Sequence, residues 1–245
     1  GQGALGADTQ GSHSTAIGTF ALATQNFTTA TDSNNTAVGY GAGLLLTTGE
    51  KNTFIGADAG DAIVSGDNNI AIGYSSLGAD RFGEKSVAVG TFTLLAQNFS
   101  TATDSFNTAV GHAAGTAVTT GDSNTLIGGL TGDALTEGKN NVAMGYGALG
   151  TDTKGKENVA IGNGSLGTQN FTTLTNSFNT AVGSSAGYAI TTGNKNVLIG
   201  ALAGDALTDA DTNVAVGYVS LSSDTMLLLV FRQDYQLQQV YKMFL

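Results

Sequence analysis

The chain has 245 residues, among them 36 glycines, with no proline, tryptophan or cysteine, 11% charged residues and a formal net charge of −10. Nine Lys and Arg leave no basic stripe for phosphate backbones, which argues against nucleic-acid binding, and an anionic membrane would repel the chain. The missing cysteines exclude a disulfide framework and a thiolate metal site, while low charge with 41% hydrophobic content argues against disorder.

The opening Gly1-Gln2-Gly3-Ala4-Leu5-Gly6 aligns with Gly145-Tyr146-Gly147-Ala148-Leu149-Gly150, so the chain enters in mid-repeat and reads as a fragment of a longer protein. Missing targeting signals therefore carry no meaning. A Gly-ended motif of the form Asn-Thr/Val-Ala-Val/Ile-Gly then recurs twelve times, with its glycines at 18, 39, 56, 73, 90, 111, 128, 145, 162, 183, 200 and 217. The spacings run 21, 17, 17, 17 and repeat, so four coils make a 72-residue block. Such a period predicts an all-β parallel solenoid, because no single unit can bury its own apolar face.

Each coil carries two short apolar stretches, such as Thr53-Phe54-Ile55 and Ala62-Ile63-Val64, separated by two turns. The second turn has a glycine ten residues after the motif glycine (Gly49, Gly66, Gly83, Gly121, Gly138, Gly155, Gly193; Ala210 in the last coil), where a positive φ is expected. The motif asparagines, Asn35 and Asn52 through Asn213, are expected to stack as an amide ladder, with Ser14 and Ser86 as exceptions.

By the period-2 rule, the residues flanking each strand's centre (Thr36 and Val38, Ile70 and Ile72, Val142 and Met144) share one face, expected to fill the coil interior. The central residues Ala16, Ala37, Phe54, Ala71, Ala88, Ala109, Leu126, Ala143, Ala160, Ala181, Leu198 and Ala215 form the other face, without a polar member. A strand apolar on both faces is buried on both. The column from Ala37 to Ala215 is accordingly expected to line an axis shared by three copies, or to pack on another part of the same protein.

Motifs such as Asn158-Val159-Ala160-Ile161-Gly162 and Asn141-Val142-Ala143-Met144-Gly145 resemble the head repeats of trimeric autotransporter adhesins, and similar repeats occur in bacteriophage and viral fibres. The resemblance covers residues 1 to about 221. It implies a left-handed parallel β-roll, a homotrimer around a hydrophobic axis, and a fibre on a cell or virion surface that contacts a host receptor or glycan. The coils here are longer than the usual head repeat.

Once per block the coil is four residues longer, through Gln25-Asn26-Phe27, Gln97-Asn98-Phe99 and Gln169-Asn170-Phe171. These segments are candidate receptor-contact loops; alternatively their phenylalanines tuck under the loop as a local core. Asn26, Asn98 and Asn170 also sit in Asn-x-Ser/Thr sequons. No chemistry is otherwise legible. His13 and His112 lack the neighbours a triad or metal site needs, the aspartates at 58, 61 and 67 do not follow a calcium-repeat pattern, and no cofactor is implied.

Thr47-Thr48, Thr119-Thr120 and Thr191-Thr192 recur only once per four coils, too sparsely for an ice-binding array. After Leu221 the repeat stops. Residues 222–245 read as a non-repeat tail, too short in its apolar run to span a bilayer, and from about 225 as a frame-shifted version of further coils. The expected function is thus a non-enzymatic structural or adhesive fibre segment, extracellular or virion-borne. The alternatives are a monomeric ligand- or ice-binding solenoid and, last, a polysaccharide-degrading solenoid, for which clustered carboxylates are missing.

Overall fold

A computed structural model describes residues 1–222; the tail reading for residues 223–245 lies outside the described residues. The chain is an all-β parallel solenoid. Twelve three-residue strands, from Thr15–Ile17 and Thr36–Val38 to Val197–Ile199 and Val214–Val216, pair in chain order into one parallel sheet. The register aligns every motif with the next, as in Ala37 with Phe54 and Phe54 with Ala71. Coils are numbered 1 to 12 below by these strands, and the residues before Gly11 begin a partial coil under coil 1, with Leu5 N–H donating to Ala21 O at 3.0 Å.

The long coils are accommodated without disturbing the main sheet. Their extra residues form a second, two-stranded pairing with the coil below: Gly11–Ser12 with Thr31–Asp32, Gly83–Glu84 with Thr103–Asp104, and Gly155–Lys156 with Thr175–Asn176.

The two faces of the strands are the reverse of the sequence expectation. The central residues Ala37, Phe54, Ala71, Ala109, Leu126, Ala143, Ala181 and Leu198 are fully buried inside their own chain, and Ala215 nearly so. They do not form an axis between chains. The flanking Thr, Val and Ile residues point outward, partly or largely exposed. The physical reason is thickness: across a flattened coil the opposite wall comes close, and an Ala–Leu pair fills the gap where two β-branched side chains would not. Period-2 alternation separates the faces but does not say which one is inside.

The opposite wall shows how tight this space is. Four residues past the motif glycine, the chain carries Leu22, Leu77, Leu94, Leu149 and Leu166 where the strand centre is Ala, all fully buried. Where a larger residue occupies the strand, this position is glycine both in that coil and in the Ala-centred coil before it: a Cβ on Gly43 or Gly60 would lie 2.7 or 2.6 Å from the Phe54 ring, and one on Gly115 or Gly187 2.7 Å from Leu126 or Leu198 of the next coil. Each coil thus holds one large side chain or shares one with its neighbour.

The amide ladder is present. Asn35 Oδ1 accepts from Asn52 N–H at 2.8 Å and Asn52 Oδ1 from Asn69 N–H at 2.9 Å, while Asn52 Nδ2 donates to Gly66 O across the turn at 2.8 Å. Ser86 still joins the chain of bonds through its own N–H, donated to Asn69 Oδ1 at 3.0 Å.

The turn glycines need a correction. Gly49, Gly66, Gly121 and Gly138 do not take positive φ. They are glycines because a Cβ would run into the carbonyl of the equivalent turn one coil on: Gly66 above Gly49, Gly83 above Gly66, Gly138 above Gly121. The left-handed conformation falls two residues later, on Lys51 (φ 57°), Lys85 (58°) and Asn140 (56°).

Candidate functional surface

The long-coil segments turn inward. Gln25, Gln97 and Gln169 are fully buried, and Phe27, Phe99 and Phe171 are only 5–7% exposed. As receptor contacts these six are corrected: they are core. Asn26 and Asn98 are exposed and Asn170 is half-exposed, so only the asparagines of the candidate loops face solvent.

The buried glutamines organise a polar layer. Asp80 Oδ1 accepts from Gly83 N–H at 3.0 Å and Phe99 N–H at 3.4 Å, and its Oδ2 from Gln97 Nε2 at 2.5 Å. Gln97 Nε2 also donates to Ser86 Oγ at 2.8 Å, and its Oε1 accepts from Asn107 Nδ2 at 2.9 Å. One block on, Asp152 takes Gly155 N–H at 3.0 Å, Phe171 N–H at 3.0 Å and Gln169 Nε2 at 2.6 Å. One block earlier, burial works against the Asp8 carboxylate, but hydrogen bonds from Gln25 and the N–H groups of Gly11, Gln10 and Phe27 outweigh it and hold its pKa below the ordinary value. Sequence reading missed these aspartates, although the 72-residue period pairs Asp8, Asp80 and Asp152 with Gln25, Gln97 and Gln169. Asp80 and Asp152 are closed to solvent, whereas Asp8, nearest the start of the chain, is partly exposed.

No grouped chemistry appears elsewhere among the described residues. Among the described residues, no three His, Asp or Glu side chains are placed to share a metal ion, and no helix is long and apolar enough to cross a membrane. His13 Nδ1 lies 3.2 Å from Asp32 Oδ1 at the surface, and His112 meets the Phe92 ring edge-on at 6.3 Å. The Thr47, Thr119 and Thr191 hydroxyls bond to carbonyls of the next coil (Val64 at 2.8 Å, Thr136 at 3.1 Å, Thr208 at 3.2 Å) and so serve the stacking.

What remains is the outer face of the twelve-stranded sheet. Its column on the motif-glycine side is Ile17, Val38, Ile55, Ile72, Val89, Val110, Ile127, Met144, Ile161, Val182, Ile199 and Val216, apolar at every level. The parallel column mixes Thr15, Thr36, Thr53, Thr108, Thr125 and Thr180 with Ile and Val. At ~4.8 Å per strand the two columns run for roughly 50 Å. Ile17, Ile55, Ile70, Val110, Met144 and Ile199 are each more than a third exposed.

The two edges of this face differ. Just past the motif glycines the surface carries Phe20, Tyr40, Tyr74, Tyr146 and Tyr218, with Phe20 and Tyr40 edge-to-face at 6.2 Å and Tyr74 and Phe92 at 5.4 Å. The other edge carries the left-handed residues before the ladder positions, among them Asn34, Lys51, Asn68, Lys85, Phe106, Asn140 and Lys195. No family model, no curated protein and no solved structure matches this chain.

Proposed function

We propose that the chain is a non-enzymatic segment of an elongated fibre in which three copies pack their outer sheet faces around a common axis. The observation that carries this reading is the all-apolar outer column from Ile17 to Val216. Monomeric proteins rarely leave contiguous apolar surface of this extent uncovered. A second copy presents the same flat ribbon at the same rise per coil, and the resemblance of Asn-Val-Ala-Ile-Gly repeats to adhesin heads and phage fibres supports a fibre on a cell or virion surface. Contact with a host receptor or glycan is then a task for the exposed outer loops around Asn26, Asn98 and Asn170.

Analytical ultracentrifugation of the chain tests the assembly. A trimer is expected, and Val110→Asp, which sets three carboxylates together on the axis, should give folded monomers, since burying unpaired like charges costs several kcal/mol per ion. Ala109→Asp, one residue away but inside the coil, should instead unfold the chain. A folded wild-type monomer would sink the proposal. One observation favours a second reading: threonine in half the strands of a flat regular face fits a monomeric ice- or ligand-binding solenoid. That reading expects thermal hysteresis and no self-association.

A further inference from the structure

The Asn-x-Ser/Thr pattern occurs beyond the long-coil segments. Asn34-Asn35-Thr36 and Asn163-Gly164-Ser165 also carry it, beside those that begin at Asn26, Asn98 and Asn170. The pattern by itself ranks all of these alike, and the fold does not. Attachment of a sugar needs two accessible groups, the asparagine Nδ2 that receives it and the hydroxyl two residues on that completes the recognised pattern.

In the long coils the segment alternates. Gln97 and Phe99 are buried while Asn98 and Ser100 are exposed; Asn26 and Thr28 are exposed in the same way, and Asn170 with Thr172 differs only in a half-exposed asparagine. The backbone is pinned at this point, Asn98 N–H donating to Thr119 O at 2.9 Å. Asn26 Oδ1 accepts from Thr9 Oγ1 at 3.3 Å and Asn170 Oδ1 from Thr153 Oγ1 at 3.1 Å, bonds that use the oxygen and spare the nitrogen. Among the described residues, no protein partner engages the Nδ2 of Asn26, Asn98 or Asn170, nor the hydroxyl of Thr28, Ser100 or Thr172. Asn98 and Ser100 thus hold nothing in place, and the fold does not account for their identity.

The other two patterns are shut. Asn34 is left-handed at φ 51°, and its Nδ2 donates to Asp32 O at 2.7 Å. In Asn163-Gly164-Ser165 the serine is buried, its Oγ donating to Gly162 O at 3.1 Å. We infer that Asn26, Asn98 and Asn170 are N-glycosylation sites of this chain and that Asn34 and Asn163 are not. The donor is a sugar activated at C1 as a phosphate ester, carried on a nucleotide or on a lipid pyrophosphate. An asparagine glycosyltransferase joins Nδ2 to C1, the bond from C1 to the phosphate oxygen breaks, Nδ2 gives up one proton, and the phosphate carrier leaves. Four coils at ~4.8 Å set successive sugars roughly 19 Å apart along one edge of the solenoid. A bulky, hydrated group at each long loop is then what a receptor meets first.

Two preparations test the assignment. In one, the purified folded chain is incubated with a soluble asparagine glycosyltransferase and a nucleotide-activated hexose; in the other, the chain is secreted from a eukaryotic host that uses a lipid-linked donor. Intact mass and peptide mapping then place the sugars. Sugars are expected on Asn26, Asn98 and Asn170 in at least one preparation, and the preparation that carries them identifies the donor. Asn98→Gln and Ser100→Ala should each remove the sugar at that loop alone and leave the melting temperature unchanged, whereas a structural role for these side chains expects a lower one. Absence of sugar from both preparations, equal occupancy at Asn34 or Asn163, or a lowered melting temperature in both variants overturns the assignment.

Discussion

Coils 2 and 3 and coils 4 and 5 are wound on the same backbone and filled in opposite ways. In the first pair the interior is dry: Phe54 spans two levels between Gly43 and Gly60, and Leu46 and Ile63 complete the core. In the second pair the positions equivalent to Leu46 and Ile63 are Asp80 and Gln97, tied to each other and to Ser86, Asn107 and two backbone N–H groups. The dry layer is held by volume, the polar one by saturation of donors and acceptors. The difference matters in a solenoid of near-identical coils. An apolar layer slipped by one coil would still be apolar, but a carboxylate at one level finds its amide only at the next, so the polar layers fix which coil follows which and anchor the long loop.

The largest effect is expected where the polar layer is broken on one side. Asp80→Ile copies the dry layer at one level but strands the Gln97 amide and the N–H groups of Gly83 and Phe99, each costing about 1–3 kcal/mol when buried without a partner. Denaturant unfolding should show a loss of roughly 3–6 kcal/mol. Adding Gln97→Leu removes one stranded donor but takes the Oε1 acceptor from Asn107 Nδ2, one unpaired group for another, so the double variant should stay within about 1 kcal/mol of Asp80→Ile alone. If Asp80→Ile alone costs less than about 1 kcal/mol, saturation is not what holds the layer.

The dry layer breaks by volume. Phe54→Ala should cost about 3–5 kcal/mol through the cavity it leaves. Gly60→Leu alone should also destabilise, because its side chain would meet the Phe54 ring. Together they rebuild the Ala71 and Leu77 arrangement of coil 4, where a leucine already sits in the left-handed conformation at φ 50°. A double-mutant cycle should therefore return a favourable coupling of about 1–3 kcal/mol. Additive losses would remove the size-exchange account.

The smallest effect compares two kinds of carboxylate. Burial pushes Asp133 above the ordinary carboxylate value, and burial with the neighbouring Asp58 does the same to Asp61. Because the folded state disfavours their charged form, they detract from stability at neutral pH, and the penalty fades as pH falls through the raised folded pKa toward the ordinary value. Asp8 has the opposite sign: it contributes above the ordinary value, and the contribution is lost as pH falls through its lowered folded pKa. Asp133→Asn should thus raise the melting temperature slightly at neutral pH, with the gain shrinking on acidification. Asp8→Asn should lower it at neutral pH, with the deficit shrinking only at more acidic pH.

The solenoid itself was legible because it is a statement about period: twelve glycines at spacings of 21 and 17 leave no other architecture, and the ladder asparagines follow from stacking identical turns. The 72-residue block likewise marked the long coils as special. Which face of each strand lies inside was not in the pattern, because Ala-centred strands flanked by Val and Ile are apolar on both sides. Only the distance to the opposite wall, filled by Leu77 against Ala71 or by Phe54 between two glycines, decided it. The same holds for Gln97 and Phe99, which look like a surface loop until the Asp80 carboxylate draws them in. Local sequence determined the repeat and its turns; the depth of the coil, a property of two walls brought together by folding, decided what is core and what is surface.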